Sequence, residues 1–358
     1  MRIVHVVQGL GIGGQERLVV QLCHELVARG HEAAIVRLSP GGVLRTEADP
    51  IPVYDATRAL GADPALTVRL AYLLRSLQPD VLHTHNPAPM LYAVPAAVAA
   101  RVRRRVHTKH GVNVYSRRAL WAARGIVRAL DAVVAVSPQT ADVARVKELV
   151  PEGRLHVVPN GIPLGQFGPD AEKRARIRTE LGIDADAFVV GSIGRLAVEK
   201  DYPSLVRAMQ PLLGEHVRLV IVGDGDARTE VEQAARGSRA RYTALTGFRR
   251  DVPALLSSFD LFALSSRTEG LPLAVPEAMA SALPVVATSV GGLPSVVSSD
   301  CGVLVPPEDE AALRRAIDDL RRDRRRAHAM GAAARQSALE RFSIEVMAAK
   351  YETIYRDG

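Results

Sequence analysis

The sequence predicts an α/β protein of two doubly wound domains in series, each a parallel sheet covered by helices on both faces. Three observations lead to it. The chain has 358 residues, long for one domain and ordinary for two. Short apolar segments rich in Val and Ile alternate with longer segments of helical period, the order that builds parallel sheets. The alternation pauses once, over Pro159 to about Asp186, where Pro and Gly collect, and then restarts.

Arg2–Val7 is a near-continuous apolar run, as expected of a strand buried on both faces. Gly9-Leu-Gly-Ile-Gly-Gly14 follows, then a helix over Gln15–Arg29 closed by Gly30. Ala33–Leu38 reads as a strand, Leu66–Leu77 as a helix, Val81–His85 as a strand and Met90–Ala100 as a helix. Val106–Lys109 is the next strand, Leu120–Leu130 a helix, Ala132–Ser137 a strand with a helix from Gln139, and Leu155–Val158 the last strand before Pro159-Asn160-Gly161. After a charged helix at Ala171–Leu181 come strands at Phe188–Ile193, Val217–Val222, Tyr242–Thr246, Phe259–Leu264, Pro284–Ala287 and Gly302–Val305. Helices are expected between them at Tyr202–Leu213, Arg228–Arg236, Val252–Ser257 and Leu293–Val297, and at the end over Glu310–Leu320, Arg324–Ser337 and Ser343–Tyr355. The expected organisation is a first domain over 1–165, a linker region over 166–186, a second domain over 187–341, and a terminal helix over 342–358 packing back on the first domain.

Composition is that of a globular protein, 47% apolar and 24% charged, and the 4% of aromatic residues argues against a nucleic-acid stacking platform. Cys23 and Cys301 match no metal or redox spacing and read as buried thiols of a reducing compartment. Met1 leads into a strand, not a signal peptide, and the longest apolar run, Met90–Ala100, contains Pro95 and is too short for a bilayer; a cytoplasmic location is expected. The net charge is +7, and all the excess lies in residues 1–165, with 20 Lys and Arg against 12 Asp and Glu. It is densest at Arg101–Lys109 and at Arg117, Arg118, Arg124 and Arg128. Such a patch suits an anionic membrane surface or an acidic substrate; it also suits a plain solvated face.

Chemistry concentrates in Ser265–Thr288. Glu269 falls on a loop at the C-terminal end of a strand, and Glu277 in the first turn of a helix just after Pro276, where the helix dipole keeps a carboxylate ionised. Ligands of open α/β sheets bind at that edge. Two anionic acceptors there suit a polyhydroxylated ligand, though spacing alone equally fits a loop glutamate and a capping one. Arg195 and Lys200, five apart in the loop after a strand, could grip a pyrophosphate as a fork and a point charge. Gly9, Gly11 and Gly14 fit G-x-G-x-x-G, the dinucleotide-binding pattern. The usual acid at the end of the second strand is missing, and Arg37 there could instead hold a 2′-phosphate. An NADP-dependent oxidoreductase is therefore a rival reading.

Gly13-Gly14-Gln-Glu-Arg17, Pro159-Asn160-Gly161-Ile162, Gly194-Arg195-Leu with Lys200, Val222-Gly-Asp-Gly225, Gly247-Phe248 and the Glu269/Glu277 pair stand in a fixed order and spacing. Together they resemble the retaining GT-B glycosyltransferases of family GT4, whose fold is two Rossmann-like domains facing a central cleft. Phe342-Ser343 followed by a helix to Tyr351 and Tyr355 extends the resemblance over essentially the whole chain. The resemblance implies that Arg195 and Lys200, after Gly194, bind the donor diphosphate and stabilise the leaving group. It implies that Glu277 binds the ribose hydroxyls and Glu269 those of the donor sugar. Gly270, Leu271 and Leu273 would bring amides near the phosphate, Gly247, Phe248 and Arg249 would meet the base through backbone groups, and Gly13 and Gly14 would close over the diphosphate. His110 matches a histidine near the reacting carbon. Gln15, His85, Asn86 and Asn113 are candidates for the acceptor side. Retention in the family is explained by front-face attack, with no dedicated protein base.

The expected activity is thus hexosyl transfer from a UDP- or GDP-sugar to a glycan, lipid-linked or small soluble acceptor, with no metal and no cofactor beyond the donor. A non-catalytic sugar-nucleotide-binding protein is a further alternative. Ser295 departs from the family, which often has Glu after Gly-Gly-x-Pro. Asp224-Gly-Asp226 is expected to be a turn and not a metal site. His83 and His85 are expected to alternate so that only one faces the cleft, with no third ligand for zinc at suitable spacing. Arg321–Arg326 is expected to be a solvated helix junction.

Overall fold

The computed structural model describes residues 1–11, 13–61, 63–111, 116–237 and 239–357. The chain divides into two compact units, Met1–Gly161 with Ile344–Gly358, and Ile162–Ser343.

Unit 1 contains strands β1 (Arg2–Val7), β2 (Glu32–Arg37), β3 (Val53–Asp55), β4 (Val81–His85), β5 (Arg104–Lys109), β6 (Ala132–Ala135) and β7 (Leu155–Val157). They form one parallel sheet in the order β3-β2-β1-β4-β5-β6-β7. Its helices are α1 (Gly14–Ala28), α2 (Pro64–Leu77), α3 (Pro87–Ala99), α4 (Arg117–Val127) and α5 (Pro138–Lys147). Both faces of the sheet are packed, so the strands are apolar almost throughout. Val4, Val6, Leu70, Leu82, Met90 and Val94 belong to the core on one face, and Val7, Val19, Cys23 and Ile35 to that on the other. Local chemistry starts the helices: Asp63, Ser116 and Ser137 accept the amides of Leu66, Ala119 and Thr140 at 3.0, 3.3 and 3.2 Å.

Strand β3 is absent from the sequence-based expectation. It has three residues at the sheet edge, and it is held there by the ion pair between Arg37 and Asp55 rather than by an apolar run.

Unit 2 contains α6 (Ala171–Glu180), then strands β8 (Phe188–Ile193), β9 (Val217–Val222), β10 (Thr243–Leu245), β11 (Leu261–Leu264), β12 (Val285–Thr288) and β13 (Gly302–Val305). Their parallel order is β10-β9-β8-β11-β12-β13. Helices α7 (Tyr202–Met209), α8 (Arg228–Ala234), α9 (Val252–Ser258), α10 (Ala274–Ala280), α11 (Glu310–Arg322) and α12 (Arg324–Arg341) cover it. Phe188, Tyr202, Leu205, Met209, Ile221 and Ile317 anchor its core. Leu293–Val297, expected as a helix, is one 3₁₀ turn over Leu293–Ser295.

Residues 166–186, expected as a linker region, are built into unit 2. Helix α6 packs on α9, and Arg174 and Arg178 reach Asp260 at 2.6 and 2.8 Å. The same carboxylate accepts the Val189 amide at 2.7 Å, which pins α6 to the start of β8. The last helix, α13 (Ile344–Arg356), belongs to unit 1: it packs on α1, and its Glu352 accepts from Arg29 at 2.6 Å and pairs with His31 at 2.5 Å.

Candidate active site

Each sheet has one point where the strand order reverses. In unit 2 the chain runs outward from β8 through β9 to β10, then restarts at β11 and runs outward the other way. The loops leaving β8 and β11 therefore part to opposite faces, and ligands of such sheets bind at that divergence.

The loop after β8 lies on a glycine bed. The amides of Gly194 and Leu196 donate to the carbonyls of Val222 and Asp224, both at 3.0 Å, and the Ala227 amide donates to Leu196 at 2.9 Å. Gly223 and Gly225 have φ of +138° and +158°, and a Cβ there would lie 1.9 Å from the Gly194 carbonyl oxygen and 2.3 Å from that of Leu196. Val222-Gly-Asp-Gly225 is thus a support for the neighbouring loop as well as a turn. Asp224 accepts the Gly225 amide at 2.8 Å and pairs with Arg228 at 3.3 Å, in keeping with the turn expected for this Asp-Gly-Asp sequence.

From the other side, residues after β11 stitch this loop down. Ser265 Oγ donates to the carbonyls of Lys200 and Asp201 at 3.1 and 2.8 Å, the Arg267 amide donates to the Glu199 carbonyl at 2.8 Å, and Arg267 Nε meets Asp201 at 3.1 Å. As a result Lys200 Nζ meets Glu269 Oε1 at 2.6 Å, and Ser266 Oγ donates to the same oxygen at 2.6 Å. Glu269 is 8% exposed, and no described residue bonds its Oε2. A carboxylate this buried requires such partners. Arg195 instead lies at the surface, paired with Glu199 at 2.6 Å. An exposed i,i+4 pair of that kind contributes only about 0.3–0.5 kcal/mol, so an incoming phosphate could displace it at little cost.

Glu269 is also fixed from behind. The Gly292 amide donates to the Gly270 carbonyl at 2.7 Å. Gly291 adopts φ +52°, and a Cβ there would lie 1.9 Å from the Glu269 carbonyl oxygen. Ser295 Oγ closes the same turn by donating to Gly292 O at 2.7 Å. Leu271 and Leu273 are buried and lead into α10, whose first turn carries Glu277, 2% exposed. Pro276 lies within that turn, not at its first position, because the helix opens earlier, at Ala274.

Gly247 is left-handed at φ +71°, and its carbonyl accepts the Gly223 amide at 2.8 Å; Phe248 is 38% exposed. The Arg249 guanidinium is engaged by Asp251 at 2.7 and 2.8 Å and by Glu180, interactions that raise its already high pKa. Its side chain is thereby committed inside the protein, which leaves its backbone for a ligand.

In unit 1 the order reverses between β1 and β4. The glycine loop after β1 packs on Gly42, where a Cβ would lie 2.1 Å from the Leu10 carbonyl oxygen. Gly13 is extended and Gly14 opens α1. Gln15 accepts from Asn86 Nδ2, and Asn86 Oδ1 accepts the His110 amide at 3.3 Å. Gln15, Asn86, His85 and His110 are therefore brought together at the C-terminal edge of β1, β4 and β5. Asn113 lies outside the described residues.

His83 and His85 do not face opposite ways. Residues two apart on a strand share a face, and their rings lie 4.1 Å apart. The sequence reading also missed His5, which the β1–β4 register sets beside His83. Ligating nitrogens of His5, His83 and His85 all lie within 4.8 Å of one another and could hold a metal. In the structure they make hydrogen bonds: His5 Nδ1 with His85 Nε2 at 3.0 Å, His85 Nδ1 with His110 Nε2 at 3.0 Å, and His83 with Tyr355 Oη and Thr108 Oγ1, both at 2.7 Å. Tyr351 Oη completes the group on Thr108 at 2.9 Å. Burial pushes His5 and His110 down to about 3, and His83 and His85 well below their ordinary range, with neighbouring histidines adding to the effect on the latter two. All four are neutral at pH 7.

Arg37 does not offer itself to a 2′-phosphate. It is buried, with its guanidinium on Asp55 and the Gly41 carbonyl. The basic run is likewise partly consumed: Arg104 donates to the Ile354 carbonyl at 3.1 Å, Arg105 pairs with Asp131 at 3.1 Å, and Lys109 is buried against Glu148. No helix among the described residues is long and apolar enough to cross a membrane.

Two Rossmann-like units, each a parallel sheet with one reversal of strand order, match the GT-B class of fold. An Anabaena protein, HepE, solved with UDP and glucose, superposes with a TM-score of 0.87 over 99% of this chain and 98% of its own, at 23% identity. The chain belongs to the group 1, family 4 glycosyltransferases: residues 12–166 match the model of Glycosyltransferase Family 4, and residues 187–323 that of Glycosyl transferases group 1. It is 32% identical to a GDP-mannose-dependent α-(1-6)-phosphatidylinositol monomannoside mannosyltransferase of Mycolicibacterium smegmatis, over 80% of this chain and 79% of that one. It is 33% identical to a Bacillus subtilis protein named for teichuronic acid biosynthesis, over 68% of this chain but only 61% of that protein. The NADP-dependent oxidoreductase reading is withdrawn with Arg37.

The packing of Gly291 on Glu269 yields a prediction. Gly291→Ala places a side chain in the left-handed region against a backbone carbonyl, a strain of about 1–3 kcal/mol. Unit 2 should melt several degrees lower, and affinity for nucleoside diphosphates should fall roughly tenfold, since one tenfold step is about 1.4 kcal/mol. Differential scanning fluorimetry and calorimetric titration measure both. Unchanged values would show that Gly291 does not hold Glu269 in place.

Proposed function

We propose that the chain is a retaining, metal-independent glycosyltransferase that takes a hexosyl group from a UDP- or GDP-sugar held on unit 2. The acceptor is a cell-envelope glycan, glycolipid or polysaccharide intermediate held on unit 1. The observation that carries this reading is the Lys200–Glu269 pair, with Ser266, at the β8–β11 switch point. A cation for the diphosphate and a carboxylate for the sugar hydroxyls stand side by side there, with Glu269 Oε2 still open to accept. Arg195, five residues before Lys200, supplies a planar fork that exchanges Glu199 for phosphate oxygens. Glu277 takes the ribose hydroxyls, and the backbone of Gly247–Arg249 takes the base. The mycobacterial relative's dependence on GDP-mannose and the UDP bound to HepE support a nucleotide-sugar donor of either base.

In this reading the bond from the sugar's anomeric carbon to the diphosphate breaks as the acceptor oxygen bonds to that carbon on the same face. The acceptor proton passes to the departing diphosphate oxygen. Charge develops on the diphosphate, where Arg195 and Lys200 stabilise it. No protein base or metal is needed in such a step.

Helix α4 supports an acceptor at an anionic membrane surface. Trp121 is 74% exposed with Arg124 over its ring at 5.8 Å, and Arg117 and Arg118 begin the same helix. An exposed tryptophan amid arginines suits a headgroup layer.

Two measurements test these proposals. Lys200→Ala and Glu269→Ala should each cut kcat/KM by about a hundredfold or more, as loss of a preorganised group does, with the circular dichroism spectrum unchanged. Near-normal turnover in both would refute the site. Arg117→Glu/Arg118→Glu should lose cosedimentation with phosphatidylglycerol vesicles at 0.1 M salt while retaining turnover on a soluble acceptor. Equal sedimentation of variant and parent would refute the membrane face.

A further inference from the structure

Three imidazoles connect the inside of unit 1 to the loop edge: His5 on β1, His85 on β4 and His110 just after β5. Both bonds are Nδ1-to-Nε2 contacts at 3.0 Å, and the ring planes lie 18° and 28° from parallel with centroids 5.3 and 5.2 Å apart, side by side as in-plane hydrogen bonds require. A neutral imidazole carries one N–H, so each ring donates from one nitrogen and accepts at the other. Only two arrangements of the chain satisfy both bonds. In one, every ring bears its proton on Nδ1: His5 donates to His85, His85 donates to His110, and His110 presents Nδ1–H outward. In the other, every proton sits on Nε2, the bonds reverse, and His110 presents a bare nitrogen.

The inner end decides between them. His5 is fully buried, and its Nε2 has no hydrogen-bond partner. With protons on Nε2, an N–H would be orphaned in the core, the rarer and costlier kind of unsatisfied group. With protons on Nδ1, only a lone pair is left there. His83 does not compete for this chain, since both its nitrogens are taken by Tyr355 and Thr108. His5 and His85 are buried and no carboxylate among the described residues bonds either ring, so a cation there would be uncompensated and the two-state choice of a neutral chain holds. Among the described residues nothing bonds His110 Nδ1, while the His110 amide is fixed on Asn86.

We infer that His5 is a positioning residue: through His85 it holds His110 in the Nδ1–H form, so that the edge of unit 1 offers a hydrogen-bond donor to a hydroxyl of the acceptor. The tautomer follows from the geometry alone; its use on an acceptor hydroxyl rests on the proposed transferase reading. Histidine is needed at position 5 for a donor at the Nδ1 place, not for charge or bulk. Asn, whose amide nitrogen can stand near the same place, should substitute, and Phe should not.

The test is long-range ¹H–¹⁵N correlation on the full-length protein labelled with ¹⁵N-histidine at pH 7.5, with His110 assigned by His110→Gln. The parent should show His110 protonated on Nδ1. His5→Phe should show loss of that pure form and a fall in kcat of roughly tenfold with little change in KM, the scale of one hydrogen bond. His5→Asn should restore both. A parent spectrum with His110 protonated on Nε2, or an Nδ1–H signal unmoved in His5→Phe, would overturn the inference. So would stoichiometric zinc in the purified protein, because a metal on His5, His83 and His85 would take the nitrogens these bonds use. Should His5→Phe fail to fold, the parent spectrum and His5→Asn still decide. Should the parent transfer no sugar, the tautomer stands or falls by its spectrum while the transferase reading alone is lost.

Discussion

The contact between Lys200 and Glu269 depends on the adjacency of β8 and β11, strands far apart in sequence and paired through Leu261–Val190 and Phe262–Gly191. That pairing is where the sheet reverses its order, so the loops beyond it open to opposite sides and leave charged side chains facing a common space. Several contacts in unit 2 hold those two loops in place. Ser265 and Arg267 tie one to the other, the glycines at 223 and 225 let a third loop lie beneath, and Gly291 lets a fourth lie against Glu269. Each glycine is placed where a Cβ would overlap a backbone oxygen. The rigidity of the site is thus carried by close backbone packing as much as by side-chain bonds.

Unit 1 solves a related problem with different chemistry. At its own switch point Gln15, Asn86 and His110 are linked by side-chain amides and imidazoles rather than by ion pairs. Behind them the histidines and the two tyrosines of α13 form a buried polar group among apolar strands. Such networks are stable only when nearly every member is satisfied. The C-terminal helix, brought back from beyond unit 2, supplies two of those members, Tyr351 and Tyr355, so its return is part of the construction of this edge.

Most of the architecture was legible because parallel strands packed on both faces are mostly apolar runs, and twelve of the thirteen mark themselves without reference to anything distant. β3 did not, being three residues long and held by an ion pair between residues 18 apart. Residue types at the site were legible too, but not their pairings. Nothing near Lys200 in sequence says that its partner is Glu269, or that Arg249 spends its guanidinium on Asp251 and Glu180. Arg37 looked available for a phosphate until β3 brought Asp55 against it. The histidines were misjudged for a simpler reason: two residues apart on a strand means the same face, and the third ring comes from a strand 78 residues away that only the sheet register brings near.

The central claim is that a nucleotide sugar is held where the loops after β8 and β11 meet. Hydrogen–deuterium exchange with and without saturating UDP, GDP and their common sugars measures this most directly. Protection by at least one of these ligands should appear over residues 194–201 and 265–277, because ligand contacts there would quench opening of both loops together. Protection confined to the glycine loop at residues 9–14, or absent from both segments with every ligand, would contradict it.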